Sequence, residues 1–173
     1  MTKDVIDAIK ERRSIRKFEK RDIPDATIGR LLESAHLAPS AGNLEPWKFV
    51  VVKQDELKEK LSQAAYSQKS LSSAPVCIVV CAEPGRSAAK YGERGANLYC
   101  LQDTAAAVEN ILLTATGYGL GSCWVGAFNE EEVQENLGLD PGLRPVAMIP
   151  VGYPASEVDE IPRRPVDEVT LVM

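Results

Sequence analysis

The 173-residue sequence predicts an α+β or α/β sandwich, and three observations support this fold class. Segments with helical periodicity alternate with short apolar runs of strand length along the chain. The predicted strands are nearly continuous in apolar residues, as in "VCIVVCA", which is typical of a sheet covered on both faces. No GxGxxG follows the first predicted strand and opens a helix, so we do not expect a dinucleotide-binding Rossmann domain.

The order of the predicted elements is helix, helix, strand, helix, strand, helix, strand, helix, strand, followed by an extended tail. The helical segments are residues 3–12, 25–38, 55–65 and 97–116, and a run that begins with Asn129 as N-cap. The strand segments are residues 47–53, 74–82, 121–126 and 144–154, with a strand-like run at Val169 to Met173. The helix over 97–116 is apolar on a broad stripe, which predicts a central and mostly buried helix.

Residues 83–96, "EPGRSAAKYGERGA", combine turn residues and charges without periodicity. This pattern predicts a mobile loop that could gate a pocket.

Composition indicates an ordinary globular protein with one domain, residues 1–173. Hydrophobic residues make up 45% of the sequence and charged residues 26%. No apolar run approaches the ~20 residues that span a bilayer, and the charged N-terminus lacks the apolar core of a secretory signal. We therefore expect a cytoplasmic protein without a membrane partner. The net charge of −5 also argues against a nucleic-acid partner.

The four cysteines form no CxxC pair and lie mostly within apolar runs. This pattern predicts buried free thiols, and neither disulfides nor a zinc or other metal site. The four are Cys77, Cys81, Cys100 and Cys123.

Positive charge is concentrated near the two ends of this acidic chain. Residues 10–21, "KERRSIRKFEKR", contain seven basic residues and two acidic ones, and "PRRP" contributes Arg163 and Arg164. One interpretation is a solvated surface, which is what most charged runs form. The other is an anion site that holds a phosphate, for which arginine offers a fork of permanently charged donors.

Individual polar and aromatic side chains leave alternatives open. Asp103 lies on the apolar helix and is either a buried hydrogen-bonding residue or an exposed one. His36 follows a helical run, where interaction with the terminal carbonyls is favoured over a catalytic role. Trp47 and Trp124 are interpreted as core or interface residues in preference to cofactor-stacking ones.

The chain as a whole resembles the nitroreductase family of FMN-dependent oxidoreductases. The resemblance lies in "RRSIRKF", "APSAGNLEPWKFVVV", "APVCIVV", "AAAVENILLTATGYGLGSCWVGAF", "IPVGYP" and "PRRPVDEV", which occur in the family's order. It implies an α+β three-layer sandwich with a mainly antiparallel sheet between helices. It also implies a homodimer that exchanges its C-terminal tails and builds two flavin sites at the interface.

The resemblance also assigns cofactor-binding residues. Arg12, Arg13, Ser14 and Arg16 would contact the phosphate, ribityl chain and pyrimidine edge of FMN, and Arg163 with Arg164 would complete the phosphate clamp. The "PSAGN" loop would reach the partner's flavin through Pro39, Ser40, Ala41 and Asn43. A backbone NH at Gly126 or Ala127 would lie near flavin N5, and Gln68 would offer an amide to the pyrimidine ring.

The activity that the resemblance implies is a ping-pong reaction. NAD(P)H reduces FMN, and the reduced flavin reduces a nitroaromatic, a quinone or a similar small-molecule acceptor, with no side chain acting as obligatory acid or base. One alternative is a specialised relative that dehalogenates, destroys flavin or dehydrogenates its substrate. The other is a flavin-binding or redox-sensing protein with little turnover.

Overall fold

A computed structural model of the chain describes residues 3–156 and 158–173. Its strands are β1 (Trp47–Val52), β2 (Val76–Ala82), β3 (Gly121–Ser122) and β4 (Arg144–Gly152). Its helices are α1 (Val5–Glu11), α2 (Asp25–His36), α3 (Asp55–Ala64), α4 (Lys69–Ser73), α5 (Pro84–Arg94), α6 (Cys100–Gly117) and α7 (Glu130–Leu137). The four strand segments and the helices predicted within residues 3–137 are thus confirmed, apart from their exact ends.

The strands form one antiparallel sheet in the order β1-β2-β4-β3. Trp47 at the start of β1 lies opposite Ala82 at the end of β2. At the other end of the sheet, Val76 lies opposite Val151, and Ser122 of β3 pairs with the same Val151. β1 and β3 are therefore the two edges of the sheet.

Helices cover both faces of the sheet. Alternate residues of β2 point to opposite sides, so Ile78 belongs to one hydrophobic cluster and Val79 to the other. The first cluster includes Leu31 of α2 and Ile111 of α6, and the second includes Leu61 of α3. These layers confirm the α+β three-layer sandwich and explain why the strands are apolar on both sides.

The prediction of a mobile loop over residues 83–96 is wrong. These residues form α5, which is interrupted at Gly92 (φ +56°), and a π-helical turn at Gly95–Tyr99 leads directly into α6. Within α5 the buried residue is Ser87, and Gly95 is buried in the turn that packs against it. Because this packing uses small residues, the helical periodicity of the segment lies in its charged residues, Arg86, Lys90, Glu93 and Arg94, and not in an apolar stripe.

The C-terminal tail, residues 158–173, is exposed along its length. It contains a short 3₁₀ turn at Val166–Val169, and the strand-like run predicted for 169–173 forms no strand within this chain. Leu171 and Val172 leave 87% and 94% of their surface exposed. Exposed apolar side chains of this kind are expected in a segment that packs against another molecule.

The remaining side-chain predictions have mixed outcomes. The four cysteines are buried and free, as predicted. Asn129 caps α7, since its Oδ1 accepts from the amides of Glu131 and Glu132. Trp47 is buried, whereas Trp124 is 41% exposed and is not a core residue of this chain.

Among the described residues, no helix is both long enough and apolar enough to cross a bilayer.

Candidate functional site

The arginine-rich segment after α1 runs as an extended strip along the β3 edge of the sheet. The amide of Ile15 donates to the carbonyl of Ser122, and Ser14 forms a parallel bridge with the same residue. Ile15 is buried against Gly121, where a β-carbon would lie 2.7 Å from the Ile15 side chain. Alternation along the strip then turns the side chain of Arg16 outward.

Arg12 and Arg13 are half-buried at the start of this strip. The Arg13 guanidinium donates to the carbonyl of Lys10 at 2.6 Å and lies 3.7 Å from Glu160 of the tail. Arg12 lies 3.9 Å from Glu109 of α6. The Arg13 pair brings the beginning of the tail to the same region as the "RRSIR" segment.

Arg163 and Arg164 are exposed and follow Glu160 by three and four residues. Because an extended chain spans at most about 3.6 Å per residue, the backbone of these two arginines lies within roughly 10–14 Å of Glu160. Guanidinium groups are the donors that a phosphate monoester requires.

Gln68 and Ala127 meet at the same edge of the sheet, although 59 residues separate them. The Gln68 side-chain amide donates to the carbonyl of Ala127 at 3.1 Å. The backbone of Gln68 is itself held by the buried Ser62, whose hydroxyl donates to the Gln68 carbonyl at 3.0 Å. Gly126 and Ala127 are both exposed.

Arg16 and Gln68 line one groove of about 500 Å³. This volume is within the usual range for small-molecule sites. A larger cavity of about 910 Å³ lies on the other side of Phe18 and Ser73 and contains none of the predicted cofactor-binding residues. The buried Lys58 of this larger cavity already donates a hydrogen bond to the Ala74 carbonyl at 2.6 Å. We therefore base the candidate site on the groove that Arg16 and Gln68 line.

The "PSAGN" loop lies at the other edge of the sheet, directly before β1. Its amide at Ala41 donates to the Asp103 carboxylate of α6 at 3.0 Å, and the Ser40 hydroxyl accepts from the Glu45 amide at 3.0 Å. Gly42 packs so closely under α5 that a β-carbon would lie 2.5 Å from the Tyr91 hydroxyl. Pro39 and Asn43 are exposed on this loop.

The predicted cofactor-binding residues therefore fall into two groups at opposite corners of one sheet. Strand order and spacing separate the Ser14 strip from the β1 edge by about 19 Å. The register adds on the order of 20 Å along the strands, because Trp47 and Ser122 lie at opposite ends. A single small ligand cannot contact both groups within one chain.

Several contacts at these corners could not be predicted from the sequence. Asp103 is buried, which resolves the alternative left open for it, and its hydrogen bond to Ala41 spans 62 residues. His36 is the last residue of α2. Its Nδ1 accepts a hydrogen bond from the Trp47 indole at 3.3 Å, and its exposed Nε2 lies beside the Glu45 carboxylate.

The described residues contain no group of three or more His, Cys, Asp or Glu side chains placed to hold a metal ion.

The "PSAGN" and "RRSIR" segments both fall within a match to a known family. The model of the Nitroreductase family matches residues 9–72 and 63–153. This chain belongs to the nitroreductase family. A protein of Archaeoglobus fulgidus, provisionally named an NADH dehydrogenase/NAD(P)H nitroreductase, is 41% identical over 152 residues, which cover 86% of this chain and 84% of that protein.

Two further comparisons extend over nearly the full length. The NADH dehydrogenase of Thermus thermophilus is 31% identical over an alignment of 195 positions, which covers 97% of this family member and 95% of the Thermus protein. The crystal structure of a nitroreductase family protein from Streptococcus pneumoniae TIGR4 superimposes with a TM-score of 0.90 at 26% identity, covering 98% of this chain and all of that one. Fold and family agree, and the family identifies the chain as an oxidoreductase.

Proposed function

We propose that this nitroreductase family member is an NAD(P)H-dependent FMN oxidoreductase that works as a homodimer. Its acceptors would be nitroaromatics, quinones or similar small molecules. The observation that carries the proposal is the groove at the β3 edge, which is lined by the cationic side chains of Arg16 and Lys17 and by the side-chain amide of Gln68, with the exposed Ala127 hydrogen-bonded to Gln68. This donor set matches the phosphate, the polar pyrimidine edge and the ring plane of a flavin mononucleotide.

Each residue of this group has a separate role in the proposal. Arg12, Arg13, Arg163 and Arg164 would bind the phosphate, with Ser14 and Arg16 along the ribityl chain and the pyrimidine edge. Gln68 would present its amide to the pyrimidine while it holds the Ala127 carbonyl in place. The Gly126 and Ala127 backbone would then donate an NH toward the flavin ring, a contact that needs no particular side chain.

The separation of the two groups supports the proposed dimer. The loop residues Pro39, Ser40, Ala41 and Asn43 lie too far from the Ser14 strip to share its ligand, so a second copy would supply them. The exposed tail, residues 158–173, would pack on that second copy. A two-fold axis would then build two equivalent sites from two chains.

The bound flavin would supply the electron-transfer chemistry, accepting a hydride from NAD(P)H and passing electrons to the acceptor. The chain's own contribution would be to bind the phosphate, orient the ring and place a backbone donor. No side chain at the β3 edge is required as a general acid or base.

The experiment is an absorption spectrum of the purified protein, recorded before and after anaerobic addition of NADH or NADPH. Mass spectrometry of the released cofactor identifies it. A yellow protein that contains FMN and bleaches supports the reductase and names its electron donor. Steady-state assays with nitroaromatic, quinone and halogenated compounds then separate a general reductase from a dehalogenating, flavin-destroying or dehydrogenating relative.

Other outcomes contradict the proposal in different ways. FMN that stays oxidised with both nucleotides favours a flavin-binding or redox-sensing protein with little turnover. A protein that takes up no flavin after addition of FMN overturns the cofactor assignment.

A further inference from the structure

Asp103 is a buried carboxylate on the helix that packs against the centre of the sheet. Its neighbours on α6 include Ala107 and Val108, which belong to the hydrophobic core, and its own exposure is 7%. One oxygen, Oδ1, accepts the hydrogen bond from the Ala41 amide at 3.0 Å. The other, Oδ2, is buried and has no hydrogen-bond partner among the residues that the structure describes.

Such a group is costly to retain. A buried carboxylate with one unpartnered oxygen destabilises a fold relative to an apolar side chain of similar size. Burial also raises the pKa of Asp103, which reflects the same desolvation. A cost of this kind is expected where the group performs a task that an apolar side chain cannot.

The loop that Asp103 contacts needs external support. Gly42, Asn43 and Glu45 all have positive φ values, of 61°, 54° and 51°. For the two residues with side chains this backbone region is uncommon and persists where the surroundings impose it. The loop therefore has a conformation that its own sequence would not hold in isolation.

Among the contacts that hold this conformation, three made by side chains differ in where they are anchored. The Ser40 hydroxyl bonds within the loop, to the Glu45 amide. Arg86 donates to the Leu44 carbonyl from an exposed position on α5. The Asp103 contact ties the loop to α6, the long buried helix, and it does so at Ala41, inside the "PSAGN" motif.

We propose that Asp103 is a positioning residue that fixes the "PSAGN" loop for the flavin site of the partner subunit. The inference rests on the proposed function, since it takes the loop to be the wall of the partner's site. It adds a residue outside the motif and a direction of action: the carboxylate in one subunit sets the flavin affinity of the other. Asp103 touches no ligand and acts through the Ala41 amide.

The first test compares flavin affinity among variants of the reconstituted homodimer. Asp103→Ala removes the acceptor and is expected to raise the FMN dissociation constant about tenfold or more, the scale of a lost hydrogen bond to a charged group. Asp103→Asn keeps an oxygen at Oδ1 and is expected to recover most of the affinity. The readout is quenching of FMN fluorescence on binding.

The matched control is Asn110→Ala on the same helix. Asn110 donates to the Ser34 carbonyl at 2.8 Å, so its loss also removes a tie from α6, but to α2 instead of the loop. We expect this variant to lose thermal stability and to keep its FMN affinity. Equal FMN affinities for Asp103→Ala and Asn110→Ala would mean that Asp103 is only structural, and would overturn the inference.

A second variant breaks the same bond from the loop side. Ala41→Pro removes the donor NH without altering the core, and the preceding Ser40 (φ −139°, ψ 152°) already has the extended backbone that a following proline requires. It is expected to match Asp103→Ala, and the double variant is expected to be no weaker than either. This variant keeps the inference testable if Asp103→Ala does not fold.

Mixed dimers test the direction of action. One chain carries Arg12→Ala and the other carries Asp103→Ala, with different affinity tags for purification of the mixed species. If Asp103 acts on the partner's site, both defects fall in one site, and the other site is intact and binds one FMN per dimer with wild-type affinity. If Asp103 acts on its own chain's site, each site has one defect and no wild-type site remains, which contradicts the inference.

Failure of the proposed function gives a different result. In that case the unaltered protein binds no FMN, and the inference is rejected together with the proposed function. An unaltered protein that binds FMN, together with an Asp103→Ala variant that binds equally well, rejects the inference alone.

Discussion

The backbone of Gly95 packs directly against the carbonyl group of Ser87. A β-carbon at Gly95 would lie 2.6 Å from the Ser87 carbonyl carbon and closer still to its oxygen. This contact joins α5 to the π-helical turn that opens α6, and α5 in turn packs over Gly42 of the "PSAGN" loop.

Gly95→Ala is expected to destabilise the protein by about 1–3 kcal/mol, because the clash is with backbone atoms that cannot rotate away. Gly85→Ala is the matched control, since Gly85 lies in α5 with nothing within 4 Å of an added β-carbon. That variant is expected to be neutral or slightly more stable, by up to about 1 kcal/mol. Urea denaturation of both variants measures the difference, and equal stabilities would show that the contact is not tight.

Arg12→Ala or Arg163→Ala is expected to weaken FMN binding by roughly 1.5 to 3 kcal/mol, the scale of one charge-assisted hydrogen bond. Titration of the flavin-free protein with FMN gives the affinity. Arg30→Ala serves as the control, because Arg30 is exposed on α2 and pairs with the neighbouring Glu33, outside the proposed site. Unchanged affinity in both site variants would reject the phosphate assignment.

Deletion of residues 166–173 is expected to weaken the proposed homodimer. This segment contains apolar side chains that are exposed in the single chain, among them Leu171 at 87% and Val172 at 94%. Burying them on a partner would stabilise association at about 25 cal/mol per Å². Sedimentation velocity over a range of concentrations detects the change, and a truncated protein that remains a tight, flavin-loaded dimer would contradict tail exchange.

Arg144 and Glu130 form a two-contact ion pair between β4 and α7, with distances of 2.8 and 2.9 Å. Hydrogen bonding from Arg144 lowers the pKa of Glu130 below its ordinary value of 4.5. The Glu130 carboxyl holds its proton less tightly in the folded chain than in the unfolded chain. The ion pair therefore stabilises the folded state fully above pH 4.5, and this stabilisation is lost as pH falls through the lowered pKa of Glu130.

Arg144→Met is therefore expected to reduce the free energy of unfolding by up to about 1 kcal/mol at pH 7, since both side chains are partly exposed. The difference from the unaltered protein should vanish in acid below the folded pKa of Glu130. Denaturation at both pH values tests this, with Arg30→Met as a control for an exposed pair. A deficit that persists unchanged in acid would mean that the Arg144 side chain stabilises by packing instead.

Elements that pack through large apolar residues could be predicted from the sequence. Elements that pack through small residues could not. Val76–Ala82 is apolar throughout and is the fully buried strand it was predicted to be. α5 was missed, because its buried contacts are made through Ser87 and Gly95, which carry no hydrophobic signal. The helical periodicity of α5 lies in the spacing of its charged residues, and a search for an apolar stripe does not detect it.

The candidate site also has a part that could be predicted from the sequence and a part that could not. Motif resemblance could assign Arg12, Ser14 and Asn43 to a flavin, since it compares local sequence. It could not show that Asp103 bonds to Ala41 or that Gln68 bonds to Ala127, because contacts across 62 and 59 residues depend on the folded chain. The spacing of the two motifs along the sequence also did not predict the distance between the two corners of the sheet.

The position of β2 has a consequence for the protein while it is being synthesised. Its seven residues are uncharged and wholly buried, and they pair with β1 on one side and β4 on the other. β1 precedes β2, but β4 ends at Gly152, 70 residues after Ala82 (152 − 82). At about 5–20 residues per second, one edge of this apolar strand remains without its native partner for about 4–14 s on the ribosome. Through that interval "VCIVVCA" has the composition of an aggregation-prone segment, so the yield of folded protein in a cell should depend on how fast the ribosome reaches β4 and on chaperones that cover β2 until then.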